Sequence, residues 1–316
     1  MSDFEIVKNP GKEYFDELIR KTGETEGWAV TGNEYGEFYK GFDDGCIAMY
    51  LMREKGSNKC VSAVITAKYR SCSSSVQDLI AVGYFYAWQE FRGKGLGIKV
   101  FEEAMKHTAD CNVTLIGVEA MHQKYAEKWG LKLEPEFTID SYDIKSGDVD
   151  IKKLNKAVEG LTMVYVKDID FEKVVEYDRT IVSDINRSKY VKQCLVGSER
   201  QVVKVAIDSQ NKVVGFGRLS ELLNRTSASI GPFYAESPEI AEALLYHLLE
   251  DSEYEKWDSV KPRFISSNKM ALKLYEKVSN GKLELECIMH SQFSKQLIKV
   301  PEDKVYGFFE CGLSFI

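Results

Sequence analysis

The stretch YAWQEFRGKGLGIKVFEEAMK, residues 86–106, runs from an aromatic β-rich segment through a glycine-rich turn into an amphipathic helix. In the turn, residues 92–97, three glycines alternate with other residues at the point where the helix begins. Glycine lets main-chain N–H groups approach a ligand closely, and a helix N-terminus presents free N–H donors. Arg92 and Lys94 add positive charge. The stretch therefore predicts an anion site suited to a phosphate or pyrophosphate.

Two familiar phosphate-binding loops do not match this turn. A P-loop requires GxxxxGK followed by Ser or Thr, which is absent here. A dinucleotide-binding GxGxxG lies in an early βαβ unit, whereas this GxGxG follows several strand-like runs that read as an antiparallel meander. Taken alone, the turn also fits a plain glycine-containing loop with solvated basic residues.

Length and charge restrict the class of protein. The chain has 316 residues and predicts about two domains. Its net charge of −7 argues against nucleic-acid binding, which needs a basic face, and is compatible with a cationic substrate such as an amine. No apolar run is long enough to cross a membrane and no secretory signal is recognisable, so neither a membrane nor a nucleic acid is predicted as a partner.

The seven cysteines are odd in number, scattered, and without a CxxC pair. This pattern disfavours a disulfide framework and a zinc ribbon and predicts free thiols in a reducing, cytoplasmic location. The four histidines are dispersed in the sequence and form no HExxH, so no metal site is predicted; they are His107, His122, His247 and His290.

Two short matches indicate an internal repeat. GYFYA, residues 83–87, corresponds to GPFYA, residues 231–235, at an offset of 148. Tyr125 in KYAEKWG corresponds to Tyr275 in LYEKVSNG at an offset of 150. Because the same strand–helix–strand order flanks both matches, we predict a tandem duplication, with domains 1–147 and 159–316 joined by a linker at 148–158.

The stretch EFRGKGLG resembles the acyl-CoA-binding pattern Q/R-x-x-G-x-G/A of the GNAT superfamily of N-acetyltransferases, with Arg92 at the first position. The second half resembles the superfamily more loosely through NKMALKLYEK, residues 268–277, and the whole chain is similar to tandem acetyltransferases with a YitH-type C-terminal domain. The resemblance implies an α/β (α+β) fold of two GNAT-like domains, each a mixed, mostly antiparallel twisted sheet flanked by helices.

The resemblance implies acetyl-CoA, or another acyl-CoA, as co-substrate. Main-chain N–H groups of a bulged strand are expected to hold the pantetheine and the thioester, and the turn is expected to hold the pyrophosphate. The expected cofactor-binding residues are Phe85, Tyr86, Ala87, Arg92, Gly93, Lys94, Gly95, Leu96 and Gly97. In the second half the turn is missing, and Glu236 and Glu239 would repel a pyrophosphate, so that half is expected to be degenerate.

The resemblance also implies a base for the amine and an acid for the CoA thiolate. The strand before the turn has no carboxylate, so Asp78, Glu119 and a water chain stand as alternative bases. The superfamily's thiolate acid falls at Ala126, and Tyr125, one residue earlier, is the candidate. Tyr275 is expected to be structural.

The function implied is N-acetyl transfer to a primary amine, by direct attack and without a covalent enzyme intermediate. A small-molecule acceptor is the first hypothesis, because a second domain closing over the cleft favours a compact ligand. The alternatives are a protein or peptide acetyltransferase and a non-catalytic acyl-CoA sensor. The oligomeric state, the acyl chain and the acceptor stay open.

Overall fold

The computed structural model of the protein describes residues 3–316, which form one mixed sheet flanked by helices. The first half contains β1 (Phe4–Lys8), α1 (Lys12–Glu26), α2 (Glu34–Gly41), β2 (Ile47–Glu54), β3 (Cys60–Ser71), β4 (Leu79–Ala87), α3 (Leu96–Met105), β5 (Asn112–Val118), α4 (His122–Trp129) and β6 (Ile139–Lys145). The second half contains β7 (Leu161–Tyr165), α5 (Phe171–Ile181), β8 (Ile185–Asn186), α6 (Ser188–Val196), β9 (Gln201–Asp208), β10 (Val213–Glu221), β11 (Ser227–Ala235), α7 (Pro238–Ser252), β12 (Ser259–Ile265), α8 (Lys269–Val278), β13 (Glu284–Phe293) and β14 (Val305–Gly307).

The two halves repeat one architecture, as the sequence repeat predicts. β4 and β11 are each nine residues long and begin 148 residues apart. Each is followed by a helix, a strand that pairs with it in parallel, and a second helix. The prediction of two tandem units with mixed, mostly antiparallel sheets is confirmed.

The halves exchange strands at the centre of the sheet. The strand order runs β1-β2-β3-β4-β5-β13-β6-β12-β11-β10-β9-β7. β13 of the second half lies between β5 and β6 of the first, and β6 of the first half lies between β12 and β13 of the second. The sheet is therefore continuous across the halves, and the domain bounds read from the sequence stay a prediction.

The first helix is longer than its sequence pattern indicates. The sequence KEYFDELIRKTG, residues 12–23, predicts a helix that ends at Gly23, but α1 continues to Glu26 and is closed by Gly27, which has a φ of +68°. The left-handed conformation that closes a helix is easiest for glycine, and Gly27 supplies it. Gly23 instead lies inside the helix, where a Cβ would come 2.8 Å from Val30 Cγ2.

The apolar faces of the helices bury most large side chains against the sheet. α3 packs on β2, β3 and β4, while α1 also contacts β4, and α7 covers β9, β10 and β11. None of the helices in residues 3–316 is both long and apolar enough to cross a membrane. All seven cysteines are unpaired.

Candidate active site

A cleft forms where β4 and β5 separate. The two strands pair in parallel only from Leu79–Ala81 with 112–114. Beyond this point the register of β4 against β3 shifts, and Tyr84 adopts a φ of +50°. This irregularity is the bulge expected in the strand that precedes the glycine turn. No strand within residues 3–316 pairs with the β5-facing edge of β4 after Ala81.

Alternation along β4 decides which main-chain groups face this cleft. The N–H of Trp88 donates to Val61 of β3 at 3.0 Å. Because successive residues of a strand point their main-chain groups to opposite edges, the N–H groups of Phe85 and Ala87 face away from β3. Two of the three predicted pantetheine-binding residues thus present donors to the open cleft, whereas Tyr86 faces β3.

The turn at 92–97 leaves the first N–H groups of α3 without a side-chain cap. Gly93 and Gly95 have φ values of +76° and +72°, a region that favours glycine. A Cβ at either position would meet nothing within 4 Å, so the space above the turn is open. At Gly97 a Cβ would lie 3.3 Å from the ring of Phe85, so this glycine allows α3 to pack closely on β4.

The two basic residues of the turn have different surroundings. The Arg92 guanidinium donates to Ala87 O at 2.9 Å and to Glu26 Oε1 at 2.6 Å. It therefore ties the turn to β4 and to the end of α1, and its charge is compensated. The Lys94 ammonium lies 5.3 Å from the ring centre of Phe91 and forms no ion pair among residues 3–316. Lys94 is the cation of this turn that is available to a phosphate.

The equivalent cleft of the second half is filled by the chain itself. β14 pairs with β11 beyond the point where β11 leaves β12, and Phe308 N–H donates to Arg263 O of β12 at 2.6 Å. A Cβ at Gly231, the counterpart of Gly83, would lie 1.9 Å from Phe308 O. Among residues 3–316, the β5-facing edge of β4 is therefore free of a strand after Ala81, whereas the equivalent edge of β11 is paired with β14.

The paired tyrosines reflect the same difference. The Tyr275 hydroxyl donates to Tyr306 O at 2.9 Å, beside β14. Tyr125 packs with Phe101 and Trp129, at ring-centre distances of 5.7 and 5.8 Å, and burial raises its pKa to about 12. Tyr125 is thus fully protonated at neutral pH.

The two carboxylates proposed as bases lie in other networks. Asp78, at the far end of β4 from the bulge, accepts from Ser71 N–H and pairs with Lys68 and Arg70. These bonds lower its pKa despite the opposing effect of desolvation, which makes it a weak base. Glu119 contacts His290 Nε2 at 2.5 Å, and this bond lowers its pKa.

A cavity of about 990 Å³ opens between the halves. It is lined by α1, α2, the β10–β11 hairpin, and the central strands β6, β12 and β13. Seven acidic and three basic residues line it, and each basic residue is paired with a lining carboxylate. Trp28 lines this cavity and also contacts Tyr84 of the β4 bulge, with ring centres 5.9 Å apart. The acidic cavity therefore adjoins the strand expected to hold the thioester.

Glu34 is a buried carboxylate of this cavity that no sequence motif marks. Its Oε1 accepts from Thr31 N–H at 2.5 Å, while its Oε2 is buried and has no hydrogen-bond partner within residues 3–316. Desolvation, followed by repulsion from Glu37, raises the pKa of Glu34 to about 7. Glu37 itself pairs with Arg218 at 3.0 Å. Glu34 is thus a carboxylate that changes charge near neutral pH.

The C-terminal segment completes the wall of the site. Glu310 accepts main-chain hydrogen bonds from residues 312–314 and one from the Tyr190 hydroxyl. The resulting turn presses Gly312 against β4, because a Cβ at Gly83 would lie 1.6 Å from Gly312 O. A segment of the second half therefore lies directly on the bulge of the first.

Comparison with family models identifies the chain. Residues 1–181, more than half of its length, match a family described as "protein of unknown function (DUF1248)". The chain belongs to the DUF1248 family. Residues 174–306 match the acetyltransferase (GNAT) domain. Its second half is therefore a GNAT domain, and the whole chain shares the tandem GNAT fold of solved structures.

A protein of Caenorhabditis elegans, "Uncharacterized protein F36G3.2", is 24% identical over 256 residues, which are 77% of this chain and 75% of the relative.

Solved structures share the tandem fold at low identity. A putative acetyltransferase from Pyrococcus horikoshii has a TM-score of 0.72 and 16% identity, with 99% of this chain and 97% of that chain covered. A tandem GNAT protein from the clavulanic acid biosynthesis pathway has a TM-score of 0.64 and 12% identity, with 92% and 98% covered. N-myristoyltransferase of Saccharomyces cerevisiae with bound myristoyl-CoA has a TM-score of 0.65 and 10% identity, with 98% and 85% covered.

Proposed function

We propose that the protein transfers an acetyl or another acyl group from CoA to a primary amine of a small, cationic acceptor. The donor binds in the β4–β5 cleft of the first half, with its pyrophosphate at residues 92–97. The observation that carries this proposal is the contrast between the two clefts: the first is open beside a glycine turn, and the second is filled by β14.

The charge of the inter-half cavity supports a cationic acceptor. Glu34, Asp258 and Glu284 line it and form no ion pair among residues 3–316. Unpaired carboxylates attract a protonated amine and raise its local concentration. The volume of about 990 Å³ lies at the upper end of the range for small-molecule sites, which suits a diamine, a polyamine or an amino sugar.

The reaction needs one base and one acid. The acceptor ammonium gives a proton to a base, its nitrogen attacks the thioester carbonyl, and the C–S bond breaks as the amide forms. Glu34 is our candidate base because it faces the cavity with a pKa of about 7. Tyr125 is our candidate acid for the departing thiolate, since its hydroxyl keeps its proton at neutral pH. Main-chain N–H groups of β4 would stabilise the oxyanion.

A direct test is to incubate the full chain with acetyl-CoA and panels of cationic, neutral and acidic amines, and to measure CoA release. Turnover with polyamines or diamines, and little with acidic amines, is expected. Turnover restricted to lysine-containing peptides would favour a protein acetyltransferase instead. Tight acyl-CoA binding with no turnover on any acceptor would favour a sensor.

The acid is tested separately. Tyr125→Phe should lower kcat about 10²-fold or more while leaving acyl-CoA affinity within a few-fold, since it removes a proton donor and little packing area. An unchanged kcat would exclude Tyr125 as the acid.

A cytoplasmic location, which the unpaired cysteines favour, stays part of the proposal.

A further inference from the structure

Four side chains from both halves meet at the corner of β5, α4 and β13. Glu119 follows β5, His122 begins α4, Glu134 lies beyond α4, and His290 lies in β13. The rings of His122 and His290 stack with centres 3.9 Å apart and planes 14° from parallel. The sequence predicts four dispersed histidines. This prediction is wrong for His122 and His290, which the exchange of β13 brings together.

The two carboxylates contact opposite edges of the imidazole pair. Glu134 lies 3.3 Å from Nδ1 of His122 and 3.4 Å from Nδ1 of His290. Glu119 lies 3.9 Å from Nε2 of His122 and 2.5 Å from Nε2 of His290. Each neutral imidazole carries one N–H, and a carboxylate only accepts hydrogen bonds, so a neutral His290 can donate to Glu119 or to Glu134 but not to both. In the tautomer with the protons on Nδ1, both rings donate to Glu134 and both Nε2 lone pairs face Glu119.

This arrangement leaves two nitrogen lone pairs and a carboxylate facing one point. In this tautomer the Glu119 carboxylate and the Nε2 lone pairs repel one another, and a cation bound by all three groups, with the exposed Glu119 side chain drawn back from its 2.5 Å contact with His290, removes that repulsion. A single divalent cation satisfies Glu119 and both imidazoles together.

We propose that Glu119, His122 and His290 bind one Zn²⁺ ion. Their ligand atoms all lie within 4.8 Å of one another. Two imidazoles and one carboxylate are a zinc ligand set that leaves a fourth position for water or another ligand. Glu134 is the outer carboxylate that orients both imidazoles through Nδ1, as such partners do in metal sites.

The surrounding fold holds this geometry. The side-chain amide of Gln292, which is fully buried, donates to Glu134 Oε1 at 3.1 Å and to His122 O at 3.0 Å. Gly117 pairs with His290 across β5 and β13, and a Cβ there would lie 3.3 Å from His122. Glycine thus permits α4 to approach the strand that carries His290.

The ion would join the exchanged strand of the second half to the first half. β13 contributes His290, whereas Glu119 and His122 belong to the β5–α4 corner, and His122 lies three residues before Tyr125. Binding only to the folded chain would raise the unfolding temperature progressively once the metal concentration exceeds the dissociation constant.

The test is calorimetric titration of Zn²⁺ into the chelator-treated full chain, with the unfolding temperature measured in parallel. One Zn²⁺ per chain is expected, with affinity at least tenfold weaker in Glu119→Gln and in His290→Gln. Glu134→Gln should weaken binding by about 10- to 100-fold, because it removes the outer partner. Glu127→Gln, on the exposed face of α4, is the matched control and should bind as the wild type does.

All these variants retain the seven cysteines, so zinc held by thiols would be unaffected by them. Glu119 is exposed, and its variant is expected to fold, which keeps the test decisive if His290→Gln is unstable. No bound zinc in the wild type, or equal affinity in wild type and Glu119→Gln, would overturn the proposal. Since the readout is zinc binding alone, failure of acyl transfer would leave this result unaffected.

Discussion

The hydroxyl of Tyr275 donates a hydrogen bond to the main-chain oxygen of Tyr306, at 2.9 Å. Its counterpart Tyr125 has no such bond, since its hydroxyl meets no hydrogen-bond partner among residues 3–316. The tyrosine of the second half thus anchors the segment that fills its own cleft. Tyr125 has no such anchoring role, which fits our proposal of a supporting second half and a catalytic first half.

The contrast predicts that one acyl-CoA binds per chain, at the turn of the first half. Gly95→Asp should weaken acetyl-CoA binding at least tenfold, because it places a carboxylate at the N-terminus of α3 beside the pyrophosphate. Gly95→Asn is the matched control, since Asn and Asp both tolerate the φ of +72° at this position. Calorimetry gives the stoichiometry and both affinities.

Equal losses in the two Gly95 variants would mean that backbone strain, and not charge, weakens binding. Two acyl-CoA molecules per chain would contradict the assignment of β14 as the filler of the second cleft.

The contact between Gly83 and Gly312 predicts that β4 tolerates no side chain there. Gly83→Ala would place a Cβ 1.6 Å from Gly312 O, so the C-terminal segment must move or β4 must distort. We expect a loss of about 1–3 kcal/mol in the free energy of unfolding, together with reduced acyl transfer. Chemical denaturation measures the first and CoA release the second.

Gly312→Ala, whose Cβ would lie 2.0 Å from Tyr84, should give the same phenotype, because it crowds the same contact. Gly147→Ala is the control, with no atom within 4 Å of its Cβ. A Gly83→Ala protein as stable as this control would show that the C-terminal segment does not rest on β4.

The sequence predicts the repeat and the turn because both depend on residues close together in the chain. GYFYA and GPFYA occupy equivalent strands, and the three glycines lie at the start of α3 as expected. The exchange of β6 and β13 could not be predicted from the sequence. Each strand could pair with a strand of its own half or of the other half, and only tertiary packing decides between these partners. For the same reason the meeting of His122 with His290 has no local signal.

The sequence does not predict Glu34 as a site residue, for a different reason. An acidic residue at the first turn of a helix is ordinarily a solvated group that favours the helix dipole. Glu34 and Glu37 both lie near the start of α2, yet burial between the halves leaves them only 5% exposed each. The three-residue spacing of two acids was the available signal, but nothing in it indicates burial.

A buried ion pair holds the C-terminal segment in place and gives a further prediction. Arg187 donates to Asp178 at 2.8 and 3.0 Å, and its guanidinium lies 5.5 Å from the ring centre of Phe309. Arg187→Met should lower the free energy of unfolding by about 3–5 kcal/mol, because it leaves the Asp178 carboxylate buried without a partner. The double variant Arg187→Met/Asp178→Leu should recover much of this loss, as measured by chemical denaturation. Additive losses in the double variant would contradict the coupling.

The raised pKa of Glu34 predicts opposite effects of Glu34→Gln on stability and on activity. The carboxylate ionises at about 7 in the folded chain and near 4.5 when exposed. Its contribution to stability is therefore complete below pH 4.5 and is lost as the pH rises to 7. Glu34→Gln has no charge to bury, so it should match the wild type at pH 4 and exceed it by up to about 3 kcal/mol at pH 8. Denaturation at the two pH values measures this difference.

Activity should change in the other direction, because the base must be ionised to accept the proton of the amine. Wild-type kcat is expected to rise with pH through about 7, and Glu34→Gln should lose this rise together with about 10²-fold or more of its rate. Glu127→Gln, which removes an exposed carboxylate, should keep both. A Glu34→Gln enzyme that is more stable at pH 8 but retains the wild-type pH profile would leave Glu34 as a buried acid without a catalytic role and return the choice of base to a water chain.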